Sequence, residues 1–147
     1  MIHVISSTQD PLLQLVEEDP VRPHIPAEQR VSHNAQVWVL QDSAGQAQSV
    51  VCVSFGAGVP TSEQELFDVT CANPMVATFY TIWSRTMGGG QAMIGQARDF
   101  LRNNYPHITR LVTLSPPTAL ARRFHIKNGA RELQVNRDTV NFEYDLA

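Results

Sequence analysis

Two hydroxyl side chains and one imidazole, all in the second half of the chain, are the groups best suited to chemistry. Thr113 and Ser115 lie two residues apart in an apolar segment, so in a β-strand they share one face. Each hydroxyl could donate a hydrogen bond to a carbonyl or carboxylate oxygen of a ligand. Thr is also a common strand residue, and Ser115 could instead cap the helix that follows it. The residue types alone leave both roles open.

His125 lies near the end of a helix predicted at residues 118–127, in a segment that reads Phe-His-Ile-Lys-Asn-Gly-Ala. An imidazole with its ordinary pKa of about 6.5 can deliver a proton near neutral pH. A histidine at the end of a basic helix could equally be a surface residue that the helix dipole stabilises. From the residues alone, His125 is therefore either a proton donor or a surface histidine.

The segment from residue 75 to residue 104 must position these groups. Val76 to Trp83 is rich in β-branched and aromatic residues, as a buried strand requires. Gly88 to Gly90 then predict a tight turn with uncovered amides. Apolar residues recur at helical spacing over residues 93–101, so a helix begins at this turn. Its unpaired N–H groups and positive dipole end favour phosphate, although an empty tight turn is the alternative.

The remaining segments predict an α/β (α+β) fold with a mixed sheet of six to seven strands and about four helices. Asp10 should cap a helix that begins at Pro11, and Ser62 with Glu65 resembles a capping box. A helical crossover should make the strand at 76–83 parallel to the one at 110–115. Further strands are predicted at 2–5, 37–40, 49–55, 131–135 and 138–146, and the last should place Val140, Phe142 and Tyr144 on one face.

Composition limits the class of protein. The 147 residues suit one domain, 1–147, and a hydrophobic content of 43% supports a real core. A net charge of -3 argues against nucleic acid as a partner. Cys52 and Cys71 are expected to be reduced thiols, no cluster of His and Cys predicts a metal site, and no apolar run reaches membrane-spanning length. We therefore expect a cytoplasmic protein without a metal or membrane partner.

The loop Arg85–Gly90, which reads Arg-Thr-Met-Gly-Gly-Gly, resembles the pyrophosphate loop of the GNAT (GCN5-related N-acetyltransferase) acyltransferases, Arg/Gln-x-x-Gly-x-Gly/Ala. The predicted order of strands and helices is also similar to theirs. The resemblance implies a single GNAT-like domain whose sheet is splayed at the cofactor site. It also implies that coenzyme A or an acyl-CoA, such as acetyl-CoA, binds at this loop. In the superfamily the position of His125 is usually a tyrosine that protonates the leaving thiolate.

The histidine points to a subgroup. The segments that start at Phe79 (Phe-Tyr-Thr-Ile), Thr113 (Thr-Leu-Ser-Pro), Phe124 (Phe-His-Ile-Lys-Asn-Gly-Ala) and Asn141 (Asn-Phe-Glu-Tyr) resemble matching segments of the GNAT-like catalytic domain of malonyl-CoA decarboxylase. The resemblance implies that His125 protonates an enolate, with Thr113, Ser115 and Tyr144 in the same pocket. From these 147 residues we expect neither that family's insertion before Phe-His nor its helical N-terminal domain.

Three functions are therefore predicted: decarboxylation of malonyl-CoA or a related acyl-CoA, transfer of an acetyl group from acetyl-CoA to an amine, or non-catalytic sensing of acyl-CoA. The sequence leaves the oligomeric state open, including a homodimer. The candidate catalytic residues are His125, Thr113, Ser115 and Tyr144. The resemblance implies the following candidate residues for binding coenzyme A: Ile82, Trp83, Arg85, Thr86, Met87, Gly88, Gly89, Gly90 and Asn128.

Overall fold

A computed structural model describes residues 1–67 and 71–146. Within these ranges seven strands form one sheet: β1 (Ile2–Ile5), β2 (Ala35–Gln41), β3 (Ala47–Gly56), β4 (Val76–Ser84), β5 (Arg110–Thr113), β6 (Arg131–Val135) and β7 (Val140–Tyr144). Their spatial order is β1-β2-β3-β4-β5-β7-β6. Only the pairing of β4 with β5 is parallel among these neighbours, which confirms the predicted crossover and the mixed sheet.

The described ranges contain a 3₁₀ helix (Pro11–Glu18) and four α-helices: α1 (Ala27–Arg30), α2 (Glu63–Leu66), α3 (Gly89–Asn104) and α4 (Ala119–Lys127). The Asp10 carboxylate accepts from the Leu12 N–H, so the predicted cap is confirmed. The predicted capping box is only half formed: Ser62 precedes the helix and its N–H donates to Glu65, but the Ser62 side chain makes no capping bond to any described residue. Glu65 also accepts from the N–H and hydroxyl of Thr61. None of the described helices is long and apolar enough to cross a membrane.

Helices cover both faces of the sheet and create two apolar cores. Met93, Ala97 and Leu101 of α3 pack on one face, where Trp38 and Phe79 also lie. The 3₁₀ helix packs on the other face, where Leu13 and Val16 meet Val37, Val50 and Tyr80. The α3 spacing is the one that the apolar periodicity predicts. The face of β7 that carries Val140, Phe142 and Tyr144 joins the first core, as predicted.

Strands β4 and β5 separate at one end. Their register runs from Val76↔Arg110 to Phe79↔Thr113, and within the described residues β5 pairs with nothing beyond Phe79 on β4. The strand predicted to end at Ser115 is therefore too long. The chain after β5 diverges from β4, and Ser115 instead makes an isolated bridge with Val140 of β7. Residues 80–84 of β4 are thus left with one unpaired edge, and a cleft opens there. This geometry confirms the predicted splay.

Candidate active site in the cleft between β4 and β5

The splayed strands border a cleft of about 610 Å³. The open end of β4, the start of α3, the residues after β5, α4 and the loop after the 3₁₀ helix all contribute to its lining. The residues that line it are Pro20, Val21, Phe79, Tyr80, Thr81, Ile82, Trp83, Ser84, Gly90, Ser115, Pro116, Thr118, Leu120, Ala121, Phe124 and His125.

A β-bulge in β4 shapes the floor of the cleft. The register against β3 jumps from Cys52↔Thr81 to Val53↔Phe79, so Tyr80 is the extra residue. The bulge frees the Tyr80 carbonyl, which accepts a hydrogen bond from the buried guanidinium of Arg22. This contact holds the loop around Val21 against β4 and so fixes one wall of the cleft.

The glycine turn at the start of α3 offers free amides. Gly88 has φ 78°, a left-handed conformation that favours glycine. A Cβ added at Gly89 would lie 2.6 Å from the Gln48 carbonyl oxygen, so no larger residue fits there. The N–H of Gly89 donates to the Thr86 carbonyl, whereas the N–H groups of Gly88, Gly90 and Gln91 donate to no described residue. Three amides at the positive end of α3 can therefore take an anion.

The side chains just before these glycines point elsewhere. Arg85 Nε lies 3.0 Å from Glu18 Oε1, and the Arg85 side chain does not line the cleft. Thr86 Oγ1 donates to Gln48 Oε1 at 3.0 Å, and Met87 is fully exposed. An anion at the turn would have to compete with Glu18 for the guanidinium.

His125 is buried at the inner wall of the cleft, with 5% of its surface exposed. Its Nδ1 lies 2.7 Å from the Tyr144 hydroxyl, so Nε2 is the ring nitrogen left for the cleft. The ring stacks on Phe142, with centroids 5.3 Å apart, and meets the edge of Phe124 at 5.2 Å. The interpretation of His125 as a surface histidine is therefore wrong, because β7 packs behind α4 and removes the ring from water.

Burial changes the protonation of this pair. It lowers the pKa of His125 to about 4, since the charged ring loses its hydration. The expectation that an ordinary imidazole delivers a proton near neutral pH is thereby corrected: the free protein holds His125 neutral. Burial also raises the pKa of Tyr144 above its usual value. A phenol that keeps its proton can donate a hydrogen bond to Nδ1, which would place the single N–H proton of the neutral ring on Nε2.

Thr113 and Ser115 form a second hydrogen-bonded chain. The Thr113 hydroxyl accepts from the Phe142 N–H at 3.1 Å and lies 2.8 Å from Ser115 Oγ. Thr113 is completely buried and does not line the cleft, whereas Ser115 does. If the Thr113 hydroxyl donates the hydrogen bond to Ser115 Oγ, the Ser115 hydroxyl is free to donate into the cleft. The two residues do share a face, but only Ser115 can reach a ligand.

The structure brings most of the candidate residues together. His125, Ser115, Ile82, Trp83 and Gly90 line one cleft, and Tyr144 and Thr113 lie directly behind it. Asn128 does not line the cleft, because it caps α4 and its side-chain amide donates to the Phe124 carbonyl at 2.7 Å. The sequence reasoning missed the wall formed by Pro20 and Val21, whose only signal was a proline-rich segment, and the exposed Leu120 of α4.

Comparison with known proteins supports the fold directly. No protein-family model matches the chain, and neither does any curated protein sequence. Malonyl-CoA decarboxylase from Agrobacterium vitis superposes with a TM-score of 0.81 at 17% identity over 99% of this chain, which spans 60% of that protein's length. The GphF GNAT-like decarboxylase in complex with isobutyryl-CoA superposes with a TM-score of 0.74 at 14% identity over 100% of both chains.

An acetyltransferase from Bacillus subtilis in complex with CoA gives a TM-score of 0.66 at 12% identity, over 99% of this chain and 98% of that one. At such identities the likeness describes the fold and not the reaction. The predicted architecture is nevertheless confirmed: the chain has a GNAT-like α/β fold, similar to that of decarboxylases and acetyltransferases.

Proposed function

We propose that this protein is an acyl-CoA-binding enzyme whose cleft holds the thioester end of its substrate. The free amides of the glycine turn would take the diphosphate of CoA, and the unpaired edge of β4 offers peptide groups to the arm that follows. Gly90 and His125 line the same cleft, so a diphosphate at the turn would place the acyl end near the imidazole. Two proteins of similar fold, with isobutyryl-CoA and with CoA bound, support this assignment.

The reaction that we propose is decarboxylation of malonyl-CoA, or of a related acyl-CoA, to give acetyl-CoA or its homologue. One observation carries this proposal: among the described residues that line this mostly apolar cleft there is one histidine, His125, and no Asp, Glu, Lys or Arg. Tyr80 also lines the cleft, but burial raises the pKa of its phenol and keeps it neutral. Glu63 pairs with Arg22 and Glu65 binds Thr61, while Asp68 lies outside the described residues. An apolar cleft also disfavours a localised carboxylate relative to the delocalised charge that forms as CO₂ leaves.

The proposed step starts from neutral His125 and neutral Tyr144 and conserves atoms and charge. The bond between Cα and the carboxylate breaks, CO₂ leaves, and the electron pair forms an enolate shared by Cα and the thioester oxygen. Nε2–H of His125 gives its proton to Cα, and the Tyr144 hydroxyl proton moves to Nδ1. The ring stays neutral and Tyr144 carries the negative charge until solvent returns a proton through Nε2. One proton is consumed in each turnover, as the conversion of malonyl-CoA to acetyl-CoA and CO₂ requires.

Ser115 has a separate role in this proposal. Its hydroxyl would donate to the thioester oxygen, where negative charge develops in the transition state. The chain from the Phe142 N–H through Thr113 to Ser115 polarises that hydroxyl, because each hydrogen bond strengthens the next. Thr113 therefore supports Ser115 rather than touching the substrate.

Transfer of an acetyl group to an amine is the second candidate. A CoA-bound acetyltransferase has a similar fold over 98% of its length, which supports this candidate, although the chain also spans 100% of the GphF decarboxylase. His125, neutral at physiological pH, could accept the proton that the amine nitrogen loses after its lone pair has attacked the thioester carbon. A sensor that binds acyl-CoA without turnover would use the same glycine turn and would not need His125.

The decisive experiment incubates the protein with malonyl-CoA in amine-free buffer and measures acetyl-CoA by mass spectrometry. We expect acetyl-CoA to accumulate, and His125→Gln to reduce its rate by about 10²- to 10⁴-fold, the usual contribution of a general acid. Turnover that survives His125→Gln at the wild-type rate would refute His125 as the proton donor, and a wild-type protein that forms no acetyl-CoA would refute the decarboxylase. Transfer from acetyl-CoA to added amines, without loss of CO₂ from malonyl-CoA, would favour the second candidate.

A further inference from the structure

A charged residue to which the proposed reaction assigns no role lies against the ring of Tyr144. Arg98 belongs to α3, and its Cζ lies 5.8 Å from the centroid of the Tyr144 ring. Its guanidinium also donates to the main-chain carbonyl of Asp145. Its Nε is buried and bonds to no other described residue, so part of the charge is desolvated. A desolvated cation acts more strongly on a neighbouring ring than a solvated one.

We propose that Arg98 is a positioning residue that makes Tyr144 the donor and His125 Nδ1 the acceptor in their shared hydrogen bond. A phenol that donates its proton gains phenolate character, and its ring then attracts a cation more strongly. The reverse arrangement, with Nδ1–H donating to Tyr144, makes the ring poorer in electrons and loses this attraction. Arg98 therefore favours the tautomer of His125 that carries its proton on Nε2, the nitrogen left for the cleft.

The direction agrees with the protonation of the pair. Burial raises the pKa of Tyr144, and the charge of Arg98 acts in the opposite sense. The cation thus makes the buried phenol a better donor without ionising it. The catalytic consequence rests on the proposed function: when the Tyr144 proton moves to Nδ1, the negative charge left behind lies against the guanidinium. The tautomer, in contrast, is a property of the free protein.

The test is ¹⁵N NMR of the free protein with labelled histidine, which reports the ratio of the Nε2–H to the Nδ1–H tautomer. The chain has 5 histidines, so His125→Gln identifies the signals of His125 by their loss. Arg98→Gln removes the charge and keeps an amide that can donate to the Asp145 carbonyl. We expect it to lower the tautomer ratio about two- to fivefold, in line with a cation–π interaction at a partly exposed site.

Two further variants distinguish the effect of the positive charge from the effect of changing the side chain. Arg98→Lys keeps a cation and should retain the wild-type ratio within about twofold. Arg102→Gln makes the same change one turn further along α3, where the arginine pairs with Asp99, and should leave the ratio unchanged. A folded Arg98→Gln protein with an unchanged ratio would overturn the proposal. So would Arg98→Lys if it lowered the ratio by more than twofold, and this measurement against the wild type still decides if Arg98→Gln fails to fold.

If the wild-type protein turns over malonyl-CoA, steady-state kinetics provide a second test. Arg98 does not line the cleft, so Arg98→Gln should lower kcat about two- to fivefold and leave KM unchanged. A rise in KM at constant kcat would contradict a role through Tyr144. If the wild-type protein turns over no malonyl-CoA, the proposed function fails, and the NMR result still decides the role of Arg98.

Discussion

Removing the Tyr144 hydroxyl should change both the rate of malonyl-CoA turnover and its dependence on pH. The proposed relay uses the neutral forms of His125 and Tyr144. His125 is neutral above its pKa of about 4, and the pKa of Tyr144 is raised by burial. In the wild-type protein kcat/KM should therefore be constant from about pH 6 to about pH 9, with no break near the ordinary histidine pKa of about 6.5.

Tyr144→Phe leaves only the protonated imidazole as a proton donor. With a pKa of about 4, about one ring in a thousand is protonated at pH 7. The rate at pH 7 should thus fall by up to about a thousandfold, and the remaining kcat/KM should drop about tenfold for each further pH unit. The phenolic proton, and not the aromatic ring, carries this difference.

The assay measures initial rates of acetyl-CoA formation at limiting malonyl-CoA across that pH range. Tyr105→Phe is the matched control, because the half-buried Tyr105 hydroxyl donates to Gln36 and does not line the cleft, so its loss should leave the profile flat. A wild-type profile that falls tenfold per pH unit would show that the imidazolium is the donor and would refute the relay. An unchanged rate and a flat profile in Tyr144→Phe would also refute the relay.

Two further predictions concern the glycine turn and the buried imidazole. A Cβ at Gly90 would lie 3.0 Å from Phe124 Cε1, so Gly90→Ala should displace that ring and weaken CoA binding about fivefold by calorimetry, the effect of about 1 kcal/mol of strain. Gly95→Ala, on the same helix with nothing within 4 Å of the added Cβ, should leave CoA affinity unchanged, and equal affinities for all three proteins would place CoA elsewhere. Acid should also destabilise the fold through His125, because between about pH 6.5 and its folded-state pKa of about 4 the unfolded chain binds a proton that the folded chain does not. Urea unfolding from pH 7 to about pH 4.5 should cost the wild type about 2 kcal/mol more than His125→Gln, and equal losses would mean that the ring is not buried neutral.

Local sequence patterns were sufficient to predict the fold and to locate the candidate site in the chain. The β-branched run before Gly88, the helical spacing after Gly90 and the two final strands each encode their own element, because side-chain period depends only on local backbone geometry. The histidine at position 125 could be placed near the end of a helix by the same reasoning. Such patterns carry no information about what lies across the sheet.

The chemistry of each group, in contrast, depends on tertiary neighbours. The low pKa of His125 follows from Phe142 and Tyr144, which β7 packs behind it from 17 and 19 residues away. Thr113 and Ser115 share a face, as their spacing predicts, yet only the departure of Ser115 from β4 exposes one of them to the cleft. Desolvation is set by packing, and the sequence alone could not say which hydroxyl would be buried.

Partners that are distant in the sequence determine where the arginine side chains lie. Arg85 is held by Glu18 from the 3₁₀ helix, and Arg22 binds the carbonyl that the bulge at Tyr80 releases. Arg98 meets Tyr144 although 46 residues separate them. The sequence by itself determined the strand, the glycine turn and the helix that can bind an anion. Only the tertiary structure decided which side chains share the cleft and in which protonation state, because the free energy of a buried polar group depends on partners that no local pattern specifies.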